Sequence, residues 1–230
     1  MINRIKVCLL GMIMALGLVS CTPADINEPF QEGVHYDVLD AFPESEKPQV
    51  ILFFSPACPH CNVFSQTMKD WESKRSQDVN YIRVPVTFAK SEWATLTKMY
   101  ATAMTLKVND HILTEMFKAI HDQRIMWFDL NSILMWFELK GVDAAEAHKA
   151  WSSEAVNKIM LGFVNAESSY AVRSIPRLIV NGRYEVRVKE FEDDPKNNKS
   201  VKTDENGVIV PATSKREQLD DVIEYLLRKV

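Results

Sequence analysis

The sequence predicts an α/β domain whose sheet is interrupted by a block of helices. Three observations carry this. An apolar run, Val50-Ile51-Leu52-Phe53-Phe54, stands just before a helical pattern opened by Cys58-Pro59-His60-Cys61. Helix-period apolar spacing then persists, with short breaks, from Ser91 to Tyr170. Strand-like residues return at Arg177 to Val180, followed by Asn181-Gly182 and, near the end, an amphipathic stretch from Lys215 to Arg228.

The front end reads as a targeting segment. Arg4 and Lys6 are a basic start, and Val7 to Val19 is an apolar run of about 13 residues, within the signal-peptide range and short for a membrane span. Leu18-Val19-Ser20-Cys21 resembles the bacterial lipobox, which is cleaved before a cysteine that then carries lipid. Cys21 is the expected lipid carrier, with residues 1–20 as signal and 21–33 as lipidated start and tether. The other reading is an ordinary signal with a chance cysteine. Beyond this segment no uninterrupted apolar stretch is long enough to span a bilayer.

Four cysteines then reduce to two, because Cys8 leaves with the signal and Cys21 is acylated. An exported chain left with only Cys58 and Cys61 has no structural disulfide framework, and its one possible internal disulfide is the chemical one. The net charge is −4, and −6 once Arg4 and Lys6 are removed, which argues against a nucleic-acid binder.

The elements follow in order. Thr22 to Gln31 is polar, with Pro23 and Pro29, and suits a tether. His35 to Leu39 suits a short edge strand. Pro43 to Pro48 is a turn. Gln49 to Phe54, continuously apolar after its first residue, suits a central strand. Cys58 to about Lys74 is expected as a helix with Val63, Phe64, Met68 and Trp71 buried. Pro59 sits early in it, where its missing N–H costs nothing. Val79 to Val84 is the next strand. Helices are expected over Ser91 to Lys107, His111 to His121, Leu130 to Leu139, Ala144 to Ser152 and Ala155 to Tyr170, bounded at Asn109-Asp110, Gly141 and Asp143. Their Met and aromatic stripes read as core. Asn181-Gly182 signals a two-residue hairpin into Tyr184 to Val188. Glu190 to Thr213 is a polar excursion, with a hairpin through Val208-Ile209-Val210. Leu219, Val222, Ile223, Leu226 and Leu227 form the buried stripe of the closing helix.

This order is that of a thioredoxin-like fold with an inserted helical domain. The chain resembles the DsbA family of thiol:disulfide interchange proteins from about Phe30 onward. The resemblance rests on Phe53-Phe54-Ser55-Pro56-Ala57-Cys58-Pro59-His60-Cys61, on Ser174-Ile175-Pro176 with Leu178-Ile179-Val180-Asn181-Gly182-Arg183-Tyr184, and on the helices between. It divides the chain into a first sheet part at 34–90, a helical insertion at 91–171, and a second sheet part with the closing helix at 172–230.

The chemistry needs a thiolate that attacks a sulfur in line. Cys58 falls at a helix N-terminus, where free N–H groups and the positive end of the helix dipole favour an anion. Such settings bring a cysteine from roughly 8.5 into the ~3.5–7.5 range. Cys61, one turn on and more buried, is the expected resolving sulfur. His60 can stabilise the Cys58 thiolate by charge or hydrogen bonding, or be a solvated helix residue without effect. A stabilised thiolate favours the dithiol, and so makes the disulfide a stronger oxidant.

The resemblance also implies a cis Ile175-Pro176 bond beside the pair, with Ile175 docking an extended client. A trans proline that merely begins a strand is the alternative. Arg177 joins Ile175 as a candidate for client binding. Arg173, Arg177, Arg183 and Arg187 together could favour acidic clients, or form a solvated face balancing local acids. Better-known family members often carry a buried glutamate and a lysine as a proton relay, where this chain has Leu52 and Arg83. His35, His111, His121 and His148 are scattered without ligand spacing and read as structural or surface residues.

The expected function is therefore an exported, disulfide-donating oxidase. It would act on reduced or unfolded exported proteins, with no cofactor or metal of its own. The resemblance implies reoxidation by a quinone-linked membrane oxidase of the DsbB type. A monomer is expected, anchored through Cys21 at the periplasmic face of a bacterial membrane. A disulfide isomerase or reductase on the same fold is the nearest rival. Against it stand the Pro-His pair and the lack of a recognisable dimerisation domain. A copper- or zinc-binding lipoprotein using Cys58, His60 and Cys61, and a chaperone that only holds clients, are the other classes.

Overall fold

Strand β2, Gln49–Phe54, runs through the middle of a five-stranded sheet in the computed structural model. The structure describes residues 28–40, 42, 45–75, 77–127, 129–191, 202–203, 209–210 and 215–229. Five successive residues of β2, Val50 to Phe54, are buried, as its unbroken apolar run requires when both faces are covered. On one side β2 pairs parallel with β3, Asn80–Pro85, through the crossover helix α1, Pro59–Lys74. On the other it pairs antiparallel with β4, Arg177–Val180, which pairs with β5, Tyr184–Val186, and β5 with the edge strand β1, Tyr36–Val38.

Between β3 and β4 lie five helices: α2, Ser91–Thr105; α3, Asn109–Phe117; α4, Leu130–Leu139; α5, Ala144–Trp151; and α6, Glu154–Ser169. A π-helical turn, Lys118–Asp122, prolongs α3. The block has its own apolar centre, built on Met99, Ile112, Met116, Ile133, Trp136 and Phe137. Side-chain oxygens of Asp129, Asp143 and Ser153 accept from N–H groups in the first turns of α4, α5 and α6, and so fix where those helices begin. Glu167 of α6 accepts from the N–H groups of Thr87 and Phe88, just past β3, and so ties the block to the sheet.

Asn181 and Gly182 turn the chain from β4 into β5 with both residues at positive φ, 49° and 73°, and Arg183 N–H donates to Val180 C=O; because Val180 pairs with Tyr184, the loop holds three residues, Asn181 to Arg183, and not the two expected. Asn181 does more. Its side chain donates to the carbonyls of Leu226 and Leu227 and accepts from the Gln49 N–H. It therefore joins the entry of β2 to the last turn of the closing helix α7, Lys215–Arg228. The five residues expected as the α7 stripe are all buried.

Two further expectations change in detail, and a third is seen in part. Val63 was expected in the α1 stripe but is 63% exposed. The buried positions are Cys61, Phe64, Thr67, Met68 and Trp71, which repeat every three or four residues, and Val63 falls outside that arc. The last residues of the expected tether lie against the folded body: Phe30 packs on His35 and Tyr225, and Glu28 accepts from the Tyr225 hydroxyl at 2.6 Å. In the polar excursion, β6, Lys202–Thr203, pairs antiparallel with β7, Ile209–Val210. Cys21, the signal and the Asn197-Asn198 and Asn206-Gly207 segments lie outside the described residues.

Candidate active site

The end of β2 turns sharply before it becomes a helix. Cys58 N–H donates to the Ser55 carbonyl at 3.0 Å, and Ala57 N–H donates to Ser55 Oγ at 3.2 Å. Pro56, with its preset φ, occupies the second position of this turn. The turn delivers Cys58 as the residue that caps α1, with extended backbone and Pro59 at the first helical position. Cys61 N–H then donates to the Cys58 sulfur at 3.4 Å. A sulfur thus fills the place that a serine or aspartate oxygen takes in an ordinary helix cap.

Both cysteines are free and buried, Cys58 at 7% exposure and Cys61 at 2%. Their acidities diverge. The Cys58 thiol is lowered to about 6. Donation from the Cys61 thiol is the largest cause, and the Cys61 and His60 backbone N–H groups and the His60 charge add to it against the opposing effect of burial. The Cys61 thiol moves the other way, raised by its hydrogen bond to Cys58 and by burial. The pair is therefore poised as one thiolate and one thiol. His60 is exposed, and its charge is the least of the influences on Cys58.

The proline segment reaches the same place from β4. Phe53 lies opposite Arg177 in the antiparallel ladder, so Pro176 sits at the end of β2 from which Cys58 departs. The Ile175–Pro176 bond is cis. Pro176 and Cys61 line one cavity of about 280 Å³ between α1 and α3, with Phe64, Met68, Leu113 and Phe117 as its apolar walls. Its far end is polar. There Arg83 pairs with Glu72 and Asp110, and Lys69 donates to Thr114 at 2.8 Å. Leu52 and Arg83 are direct neighbours in the β2–β3 ladder. An apolar side chain and a paired cation thus line the same cavity as Cys61, and no carboxylate comes from β2.

Arg177 lies beside Pro176, and its guanidinium is engaged by the Tyr170 carbonyl at 2.5 Å and Glu185 at 2.6 Å. Arg183 pairs with Asp40 and Arg187 with Asp37, as a face that balances local acids would. Among the described residues no group of three His, Cys, Asp or Glu side chains could hold a metal ion. No helix among them is long and apolar enough to cross a membrane.

One contact at the site has no signal in the local sequence. His121 Nε2, at the end of the π turn, lies 2.8 Å from the Pro56 carbonyl oxygen, 65 residues away in the chain. The carbonyl can only accept, so Nε2 carries the hydrogen.

A family model described as thioredoxin matches residues 44–202. The thiol:disulfide interchange protein DsbA of Haemophilus influenzae is 30% identical over 189 residues, covering 80% of this chain and 91% of its own. That of Pseudomonas syringae is 28% identical over 181 residues, covering 76% and 84%. Among solved structures, a Proteus mirabilis DsbA aligns with a TM-score of 0.72 over 87% of this chain and 99% of its own, at 23% identity. That likeness establishes the thioredoxin fold with its helical insertion. The redox turn, the matched family model and the shared length of these relatives together place the chain in the DsbA family, as a protein dithiol–disulfide oxidoreductase.

Proposed function

We propose that the chain is a disulfide-donating oxidase of exported proteins, working through Cys58 and Cys61. The observation that carries this reading is the divided acidity of the pair, with Cys58 lowered to about 6 and Cys61 raised. In the oxidised enzyme a client thiolate attacks the Cys58 sulfur. A client–Cys58 bond forms, the Cys58–Cys61 bond breaks, and Cys61 leaves and takes up a proton. A second client thiolate then attacks the client sulfur of the mixed disulfide. The client gains its disulfide, and Cys58 departs with the electron pair as a thiolate. A stabilised thiolate is a good leaving group, so the last step runs toward client oxidation.

Ile175 and Pro176 would line the path of an extended client next to Cys58, with Arg177 held behind them by Tyr170 and Glu185. The Proteus mirabilis relative was solved with a non-covalently bound peptide, PWATCDS, which supports a cysteine-bearing peptide as ligand for this chain as well. The N-terminal sequence supports periplasmic placement with lipid on Cys21. Return to the disulfide would fall to a quinone-linked membrane oxidase of the DsbB type.

The test is the redox equilibrium of the pair against glutathione, with the Cys58 and Cys61 state read by thiol labelling and mass spectrometry. Reduction by weakly reducing buffer supports the oxidase. A pair that stays oxidised until the buffer is strongly reducing refutes it and assigns the chain to the reductases.

A further inference from the structure

The redox turn is held from two sides. The peptide unit between Pro56 and Ala57 is its middle link. Its N–H side is fixed within the turn, because Ala57 N–H donates to Ser55 Oγ at 3.2 Å. Its carbonyl side is fixed from outside, by His121 Nε2 at 2.8 Å. Ser55 is fully buried and Cys58 nearly so, which leaves the loop little other freedom.

His121 is itself well anchored. The π turn that carries it adds a residue to the ordinary helical turn, and so rotates His121 away from the position an α-helical continuation of α3 would give it. The turn is closed by Gln123 N–H to Lys118 C=O and by Ile125 N–H to Ala119 C=O, with Ala119 fully buried. The imidazole stacks on Phe117, 6.0 Å between ring centres, and Phe117 lines the cavity that reaches Cys61. π turns recur at functional sites, and this one aims a donor at the loop preceding the reactive sulfur.

We propose that His121 is a positioning residue for Cys58: its hydrogen bond to the Pro56 carbonyl clamps the redox turn onto the helical block and holds the sulfur in register with the Cys61 N–H. That N–H to sulfur contact is 3.4 Å long. Small displacements of the turn therefore weaken it. The thiolate gains from this contact, whereas a disulfide carries no anion to stabilise. Loosening the clamp thus disfavours the dithiol form and makes the enzyme a weaker oxidant, although His121 bonds to the Pro56 carbonyl and not to either sulfur.

The experiment compares His121→Ala and His121→Gln in the full-length protein. Glutamine keeps an N–H donor at similar reach. The readouts are the glutathione equilibrium, the thiolate titration of Cys58 by ultraviolet absorbance, and the urea midpoints of both redox forms. One net hydrogen bond sets the scale. His121→Ala should shift the equilibrium about fivefold toward the disulfide form and raise the Cys58 pKa, and His121→Gln should stay within about twofold of the parent. If alanine fails to fold, His121→Asn, whose amide is too short to reach Pro56, takes its place with the same expectation. A variant that destabilises both redox forms equally and leaves the equilibrium unchanged overturns the proposal, since a purely structural contact would do just that. Glutamine behaving as alanine overturns it too, because the donor would then not be what matters.

Discussion

Acidification should erase the stability that the Cys58 thiolate gives the reduced enzyme. Cys58 falls from the ordinary value of 9.0 to about 6 in the fold, and Cys61, shifted upward, keeps its proton throughout. A depressed acid stabilises the folded state in full above the unfolded pKa, and that stabilisation is lost as pH falls through the folded pKa. The oxidised form has no thiolate and lacks this contribution, and below about pH 8 the Cys61 thiol stays protonated both in the fold and in the unfolded chain. The difference between the forms therefore isolates Cys58. Three pKa units amount to roughly 4 kcal/mol at pH 9, with more than half of it gone by pH 7 and almost none left at pH 5. Solvent screening lowers these figures, which are upper bounds. The assay is urea unfolding of oxidised and reduced protein, followed by tryptophan fluorescence from pH 5 to pH 8. The reduced-minus-oxidised difference should shrink by roughly 2–3 kcal/mol across that range, at unchanged denaturant slope. A difference that stays flat, or that grows on acidification, refutes the reasoning.

Other outcomes follow from the same geometry. His60→Ser should raise the Cys58 pKa by less than the Cys61 contacts lower it, and make the pair less oxidising; an unmoved thiolate titration removes the imidazole from the tuning. Cys61→Ser should leave Cys58–client mixed disulfides standing, visible as mass adducts on exposure to client disulfides, and a variant without adducts contradicts the assignment of Cys58 as attacking sulfur. Trp71→Ala empties a fully buried indole site and strips Glu224 of a donor, so urea unfolding should show a loss of about 3–5 kcal/mol. Arg83→Ala leaves Glu72 and Asp110 without their shared guanidinium, but Asp110 is 75% exposed and Glu72 keeps Arg75, so only about 1 kcal/mol should be lost; Arg83→Lys should restore little, because one ammonium does not span both carboxylates in the planar geometry of a guanidinium. Full rescue by lysine would show the pairing to be loose charge attraction.

The elements that announce themselves locally were legible. The unbroken run of β2, the Asn-Gly turn and the α7 stripe each follow from periodicity or turn chemistry within a few residues. So does Cys58 as a helix cap, since Pro59 at the first helical position points to it. Val63 shows where a local pattern misleads. An apolar residue next to Phe64 invites inclusion in the stripe, but a step of about 100° per residue carries it out of the buried arc. His121 shows a deeper limit. Nothing in Ala119-Ile120-His121-Asp122 marks it, because its meaning depends on a helix of the inserted block meeting a loop 65 residues earlier. Phe30 is similar: its partners His35 and Tyr225 lie on either side of the whole domain in sequence. The relation of Leu52 to Arg83 lay between these extremes. Their types were plain, but only the ladder register makes them neighbours, and only the fold brings Glu72 and Asp110 to the guanidinium.

Asn181 carries two messages in one letter. As a hairpin residue it is interchangeable with aspartate, for Asp-Gly turns as readily as Asn-Gly. As the donor to Leu226 and Leu227 it is not, because a carboxylate has no hydrogen to give. An Asn181→Asp change would therefore keep the turn and still set a negative charge against two carbonyls at the buried end of α7. Spontaneous deamidation of an Asn-Gly pair makes just such a change. A residue whose sequence invites chemical ageing is here nearly sealed from water, and the hydrogen bonds to Gln49 that help seal it also hold the backbone that the reaction must bend. The closing helix thus acts as a preservative for the turn that secures it, and a loss of α7 packing would be expected to start a clock at Asn181.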